Sequence, residues 1–226
     1  MIRQIIPGAL IAGTLAGTVA AVLHILFVTP SLLEAELFET GARVHFGDGG
    51  AASAAGGVDL WASWGRHLGT FGFDIITYCG FAMMLTALFV LAHSAGRPVT
   101  ARAGLVWGIA GFVAVHLAPS AGLAPEPPGI EAAALTARQI WWVGTVCASG
   151  AGLALIAFGR GALAPAAGIA LLAAPHIIGA PQLEAYSGVV PPEIASRFVG
   201  RSLATAAASW VSLGWLAAYF FTRKEA

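Results

Sequence analysis

The stretch LGTFGFDIITYCGFAMMLTALFVLA, residues 68–92, decides the fold class, because it runs for 25 residues with Asp74 as its only charged side chain. A bilayer core about 30 Å thick is crossed by about 20 consecutive apolar residues in a helix. This stretch therefore predicts a membrane-spanning helix that carries a carboxylate inside the membrane.

The composition of the whole chain places the rest of the protein in the same class. Of its 226 residues, 58% are hydrophobic and only 10% are charged, and 11 basic side chains balance 11 acidic ones. With the 29 glycines the apolar share is roughly 70%, against 45–50% in ordinary globular domains. A soluble domain cannot hide so much apolar surface, and no basic face is available for nucleic acid. We therefore predict an integral membrane protein that does not bind nucleic acid.

The apolar runs predict an all-α, polytopic helix bundle with six transmembrane helices. The predicted spans are residues 5–28, 68–92, 103–117, 140–159, 163–180 and 203–221. The fifth is short and bounded by prolines, so five spans is the alternative. No change in composition marks a second domain, and residues 1–226 are expected to form a single transmembrane domain with an extracytoplasmic loop at about 29–66.

Basic side chains near the span ends favour a cytoplasmic N-terminus and a cytoplasmic C-terminus. With that orientation the cytoplasmic tails and short connections carry Arg3, Arg97, Arg102, Arg160, Arg223 and Lys224. The longer outer loops carry Arg43, Arg66, Arg138, Arg197 and Arg201. Nine of the 11 acidic side chains then lie outside: Glu34, Glu36, Glu39, Asp48, Asp59, Glu126, Glu131, Glu184 and Glu193.

A polar stripe around Asp74 follows one face of the second predicted helix. Its members are spaced i, i+3, i+7, i+10 and i+11, namely His67, Thr70, Asp74, Thr77 and Tyr78. An ionisable group inside a bilayer costs about 2.5–3.5 kcal/mol on insertion scales, so Asp74 is a functional candidate. The alternative is a structural ion pair with Arg66 or Arg138.

Four histidines fall at the outer ends of four different predicted helices. They are His24, His67, His116 and His176. Neutral imidazole is a good ligand for Co, Ni, Zn and Cu ions, so the four are expected to line one outer vestibule. For any one of them, a hydrogen bond to backbone or to a lipid headgroup is the alternative. Local metal motifs such as H-E-x-x-H are missing, and a site would have to be assembled from distant segments.

Three segments resemble the CbtA family of cobalt transporter subunits. The first is Pro30 followed by LLEAELFE at residues 32–39, and the most specific is LAPSAGLAPEPPG at 117–129, which RQIWW at 138–142 follows. The third is APHIIGAP at residues 174–181. The segments at 118–125 and 174–181 also echo each other, as a parallel repeat would. The family is usually described with five spans.

The resemblance implies a membrane permease subunit for divalent metal uptake, with cobalt delivered for cobalamin biosynthesis across the cell inner (cytoplasmic) membrane. It also implies a small single-span, histidine-rich partner like CbtB, and a homo-oligomer is a further assembly that the sequence allows. No resident cofactor and no enzymatic activity are predicted, and cobalt(2+) is the transported ion. The predicted metal site comprises His24, His67, Asp74, His116, Glu126 and His176. The alternatives are a haem-binding redox subunit held by paired histidines and a non-transporting membrane scaffold.

Overall fold

The computed structural model describes residues 2–45, 53–54, 57–185 and 187–223. Across these ranges the chain is helical without a β-strand, which confirms the all-α helix bundle. The α-helices are α1 (Ile2–Leu23), α2 (Thr29–Glu39), α3 (Trp64–Ser94), α4 (Ala101–Phe112), α5 (Ala118–Ser120), α6 (Leu135–Phe158), α7 (Leu163–Ile178) and α8 (Pro192–Thr222). Two π-helical segments, His24–Val28 and Val113–Leu117, join α1 to α2 and α4 to α5.

Within the described ranges, five helical runs are long and apolar enough to cross a membrane. They are Ile5–Glu39, Trp64–Ser94, Ala101–Ser120, Leu135–Phe158 and Pro192–Thr222. The shorter apolar helix α7 has 16 residues, which is about 24 Å at 1.5 Å per residue. The number of helices long enough to cross a membrane therefore agrees with the five-span alternative. The shorter helix α7 lies where the fifth of the six spans was predicted.

Helix α7 lies antiparallel against α6. A Cβ placed on Gly152 of α6 would come within 2.7 Å of the Gly168 backbone oxygen of α7. Near the other end of the contact, Trp141 Nε1 donates a hydrogen bond to the Pro175 backbone oxygen over 3.2 Å. Helix α7 thus follows α6 back from residue 158 to the level of residue 141.

Helical structure continues beyond residue 28, where the first predicted span ends. The π-helical segment His24–Val28 leads directly into α2, and helical structure continues to Glu39. Proline has no amide hydrogen and is tolerated in the first turn of a helix, which is where Pro30 lies in α2. Residues 29–39 of the expected outer loop are therefore helical, and residues 46–52, 55 and 56 of that loop lie outside the described ranges.

The chain divides into two compact units, and a single transmembrane domain over residues 1–226 stays a prediction. Unit 1 comprises Met1–Phe27, Trp61–Phe112 and Ala204–Ala226, and unit 2 comprises Val28–Leu60 and Val113–Leu203. In unit 1, glycines allow α1 to touch α3, and Gly104 and Gly108 of α4 approach the backbone of α8. Such close backbone approaches are how membrane helices associate.

Unit 2 has a small apolar core beside the α6–α7 pair. It contains Ala35 and Phe38 of α2 with Val190 and Ile194, and Ile130 packs against them. An isolated antiparallel β-bridge between Ile130 and Gly188 joins two of the segments that contribute to this core. This core explains why helical structure continues beyond Pro30, because α2 has an apolar face to bury.

Candidate functional site

His24 is the first residue of a π-helical segment. The segment runs for five residues to Val28, and Thr29-Pro30 follows it. A π-turn widens a helix locally, and such turns occur frequently at functional sites. The proline six residues after His24 cannot donate to the preceding turn, which gives the local deviation from α-helical bonding a cause in the sequence.

His24 pairs with Asp74 in unit 1. The His24 Nδ1 atom lies 2.8 Å from Asp74 Oδ2, so the imidazole donates to the carboxylate when Nδ1 carries its hydrogen. The Asp74 residue is buried, with 5% of its surface exposed. Both residues belong to helical runs long enough to cross a membrane. A carboxylate in such a place needs a hydrogen-bonded partner, and the structure supplies an imidazole.

Close packing of α1 against α3 sets this pair in place. Ideal Cβ atoms built on Gly13 and Gly17 would come within 2.5 Å of the Cys79 Cα and within 2.6 Å of the Ile75 Cα. Only glycine permits this approach of two backbones. The antiparallel register that the two glycines fix brings the end of α1 beside Asp74.

Asp74 has a hydrogen-bond partner in His24. Arg138, one of the two arginines considered as its partner, donates to Glu126 instead. Tyr78, one turn further along α3, is buried and hydrogen-bonds to Ser209 of α8. The predicted polar stripe of α3 thus contacts side chains of two other helices.

His67 is buried at the start of α3 among aromatic rings. Its ring centroid lies 5.4 Å from that of Trp61 and 6.1 Å from that of Trp64, both in edge-to-face arrangements. Only 4% of its surface is exposed. The imidazole thus contacts the rings of both tryptophans at the start of α3.

Unit 2 contains a second histidine in a π-helical segment. His116 belongs to Val113–Leu117, which Ala118-Pro119 follows, so both π segments have five residues and a proline at the second position beyond them. His116 lines a cleft of about 330 Å³ together with Glu126, Arg138 and Gln139. Arg138 Nη2 donates to Glu126 Oε2 over 2.9 Å.

His176 lies at the end of α7 and is exposed. Its ring contacts Trp141 edge to face, with 6.1 Å between the ring centroids. Trp141 donates its indole hydrogen to the neighbouring Pro175 backbone oxygen, so the tryptophan holds this end of the helix in place.

The six predicted site residues divide evenly between the two units. His24, His67 and Asp74 belong to unit 1, and His116, Glu126 and His176 belong to unit 2. Among the described residues, no three His, Cys, Asp or Glu side chains form a group that could hold a metal ion. The structure does bring together His24 with Asp74, and it places His116 and Glu126 in one cleft. A common site for all six residues stays a prediction.

Unit 2 contains a charged cluster around Glu34 that was not predicted from the sequence. Glu34 is buried at 6% exposure, and its carboxylate lies 3.6 Å from Arg43 Nη1 and 3.3 Å from Arg197 Nη1. One turn further along α8, Arg201 donates to Ser31 Oγ over 2.8 Å.

Glu34, which was expected in an outer loop, is therefore a buried residue of helix α2 that two arginines neutralise. The signal that could have found the cluster is helical spacing. Ser31, Glu34, Ala35 and Phe38 fall on one face of a helix, and all four are buried in α2.

The long apolar helices define the class of protein, which is a multi-pass α-helical membrane protein. A family model described as probable cobalt transporter subunit (CbtA) matches residues 2–222. The chain therefore belongs to the CbtA family, as the resemblance indicated. As a transporter subunit it works with a partner. No curated protein and no solved structure matches the chain.

Proposed function

We propose that this subunit is a permease for divalent metal ions, with cobalt taken up for cobalamin biosynthesis. The observation that carries this proposal is the pair formed by His24 and the buried Asp74, which joins two helical runs long enough to cross a membrane. Membership of the CbtA family supports cobalt as the transported ion.

The geometry of the pair suits transient metal binding. A histidine that donates Nδ1–H to a carboxylate is fixed in the tautomer whose Nε2 carries the lone pair, and the carboxylate raises its basicity. Histidines that bind metals almost always have such a partner. In this role Asp74 orients His24 and supplies the negative charge that a divalent ion needs inside the membrane.

His116 and Glu126 form a second His–carboxylate element in the proposed uptake route. Both line one cleft of unit 2, and Glu126 follows the rigid segment Pro119–Pro125. His67 and His176 complete the predicted set of ligands in an outer vestibule. Each imidazole would replace one water molecule of the hydrated ion.

The membrane potential supplies a driving force that needs no nucleotide in this subunit. One charge that crosses 100 mV gains about 2.3 kcal/mol, so a divalent ion gains about 4.6 kcal/mol when the inside is negative. Cobalt binds nitrogen and oxygen ligands more weakly than nickel or copper does. Selectivity for cobalt would therefore come from the geometry of the site and from the partner subunit.

The proposed location is the cell inner membrane, with both termini on the cytoplasmic side. The return of α7 along α6 to the level of Trp141 supports an even number of crossings. The proposed partner is a small single-span, histidine-rich subunit like CbtB. Its histidines would deliver the ion to the outer side of this chain.

Asp74→Asn tests the proposal in right-side-out vesicles that contain the subunit and its partner. Asparagine keeps the shape of aspartate and removes its charge, so uptake of radioactive cobalt should fall at least tenfold. Glu184→Gln is the matched control, because Glu184 is an exposed acid outside the pair. Uptake by Asp74→Asn equal to that of the control would remove this carboxylate from the path.

The haem alternative is tested on the same preparation. A haem held by two histidines absorbs strongly in the Soret region. Purified subunit that contains stoichiometric haem would favour the redox function over metal uptake. We expect no such absorption, because membership of the CbtA family supports metal uptake.

A further inference from the structure

The ion pair between Arg138 and Glu126 crosses the cleft that also contains His116. Arg138 Nη2 donates to Glu126 Oε2 over 2.9 Å, and about 30% of each side chain is exposed, 29% for the arginine and 32% for the glutamate. The carboxylate that is proposed to meet the incoming metal ion therefore already holds a cation that belongs to the chain.

The position of Arg138 in α6 is electrostatically unfavourable. It is the fourth residue of a helix that begins at Leu135, and the first turn contains no acidic side chain. The N-terminal end of a helix carries a partial positive charge, which disfavours a cation there. The stability of α6 therefore does not explain an arginine at this place, whereas the carboxylate of Glu126 does.

The pair also contributes little to folding, because it is partly exposed. Ion pairs of this kind stabilise a fold only slightly, since water screens the charges and two long side chains are immobilised. A link this weak opens readily. It can act as an exchangeable partner for the carboxylate without cost to the fold.

We propose that Arg138 is a specificity-determining residue that occupies Glu126 as a tethered cation until a divalent ion displaces it. This inference rests on the proposed function, because it concerns the same uptake route. A guanidinium on a short tether competes at a high effective concentration, so monovalent ions do not displace it. A divalent ion carries twice the charge and gains the imidazole of His116 as a ligand. The cleft thereby selects divalent over monovalent cations.

Arg138→Gln tests the proposal, with Arg160→Gln as the matched control. Arg160 is exposed in the link between α6 and α7 of the same unit, so its replacement removes one positive charge outside the cleft. The measurement is the Kd for CoCl₂ of the purified subunit in nanodiscs, determined by calorimetry. It is made in choline chloride and again in sodium chloride of the same ionic strength.

We expect Arg138→Gln to bind Co²⁺ about tenfold more tightly than the control in choline chloride, because one positive charge near the ion has gone. Sodium should weaken binding to Arg138→Gln and leave the wild-type Kd unchanged. In vesicles the same variant should lower the KM for cobalt in choline. A purely structural role of Arg138 would reduce Vmax and leave KM unchanged.

Arg138→Lys is a control for the case in which the glutamine variant folds poorly. Lysine keeps the charge and the tether, so sodium should again have no effect on its Kd. Equal Kd values for Arg138→Gln and Arg160→Gln, in a protein where Glu126→Gln weakens Co²⁺ binding, would overturn the role of Arg138 alone. A wild-type subunit that neither binds nor transports Co²⁺ would instead overturn the proposed function.

Discussion

Gly17 of α1 lies directly against the backbone of Ile75 in α3, and a Cβ on Gly17 would come within 2.6 Å of the Ile75 Cα. The neighbouring residue of α3 is Asp74, whose carboxylate pairs with His24 seven residues after Gly17. The contact that joins the two helices is thus less than two turns from the pair that we propose to bind metal.

Gly17→Ala should therefore damage both packing and uptake. The added methyl group meets backbone atoms that cannot move aside, and overpacking of this kind costs about 1–3 kcal/mol. Separation of α1 from α3 also moves His24 away from Asp74. We expect a lower thermal midpoint in detergent and at least a fivefold loss of cobalt uptake per folded molecule.

Gly80→Ala is the control for this prediction. Gly80 lies in the same helix α3, but a Cβ on it would meet nothing within 4 Å. The variant should keep the thermal midpoint and the uptake rate of the wild type. A Gly17→Ala protein that matched the Gly80→Ala protein in both measurements would show that the close contact is not needed.

The buried Glu34 should stabilise unit 2 without taking part in transport. Glu34→Gln removes the negative charge that Arg43 and Arg197 share, at distances of 3.6 Å and 3.3 Å. Hydrogen bonds to charged groups are worth about 1.5–3 kcal/mol, so we expect a loss of about 2 kcal/mol of stability. Thermal unfolding followed by tryptophan fluorescence measures it, since α6 and α8 carry tryptophans.

A double-mutant cycle with Arg197→Gln assigns this loss to the contact. If the ion pair is the cause, the double variant should be hardly less stable than Glu34→Gln alone. Additive losses would mean that the two side chains act independently. Uptake of cobalt per folded molecule should be unchanged, in contrast to Asp74→Asn.

The two ends of α7 should lie on opposite sides of the membrane, which means that α7 crosses it. Arg160 precedes α7 and Gln182 follows it, and the contact of Trp141 with Pro175 shows that α7 returns along α6. In a variant with Cys79 and Cys147 replaced by alanine, we introduce Arg160→Cys or Gln182→Cys. A membrane-impermeant maleimide applied to intact cells should label only the second of the two.

Labelling of both introduced cysteines from the same side would leave α7 as a helix that does not cross, and five spans would be correct. Permeabilised cells provide the control, because both sites are then accessible. The result also decides the orientation of the C-terminus, which depends on whether the number of crossings is odd or even.

Much of the fold could be predicted from the sequence because the bilayer imposes one strong constraint. Backbone groups in lipid must bond internally, so an apolar run of about 20 residues has to be a helix. Residues 68–92 fall within α3, and the predicted span 140–159 ends one residue beyond α6. The predicted end of the first span at residue 28 was wrong, because helical structure continues through a π-turn into α2 and Pro30 lies in the first turn of that helix.

The site could be predicted only in part, because pairing depends on side-chain contacts between distant segments. Asp74 could be singled out because it is the charged side chain in an apolar run of span length, where a charge is costly. Its partner His24 is 50 residues away, and the contact depends on the packing of Gly13 and Gly17 against α3. The spacing of residues within one helix does not predict how α1 and α3 align with each other. For the same reason it did not predict the ion pair between Arg138 and Glu126.

His24 and Asp74 should act as a unit in metal binding. The carboxylate fixes the tautomer of the imidazole, and the imidazole in turn partners the buried carboxylate. Outer partners of metal-binding histidines typically contribute 10–100-fold to affinity, so Asp74→Asn should raise the Kd for Co²⁺ by about that factor. His24→Ala should raise it by at least as much, and the double variant should be no worse than His24→Ala alone. Calorimetry on the three purified variants measures the coupling, and multiplied losses in the double variant would show that the two residues bind metal separately.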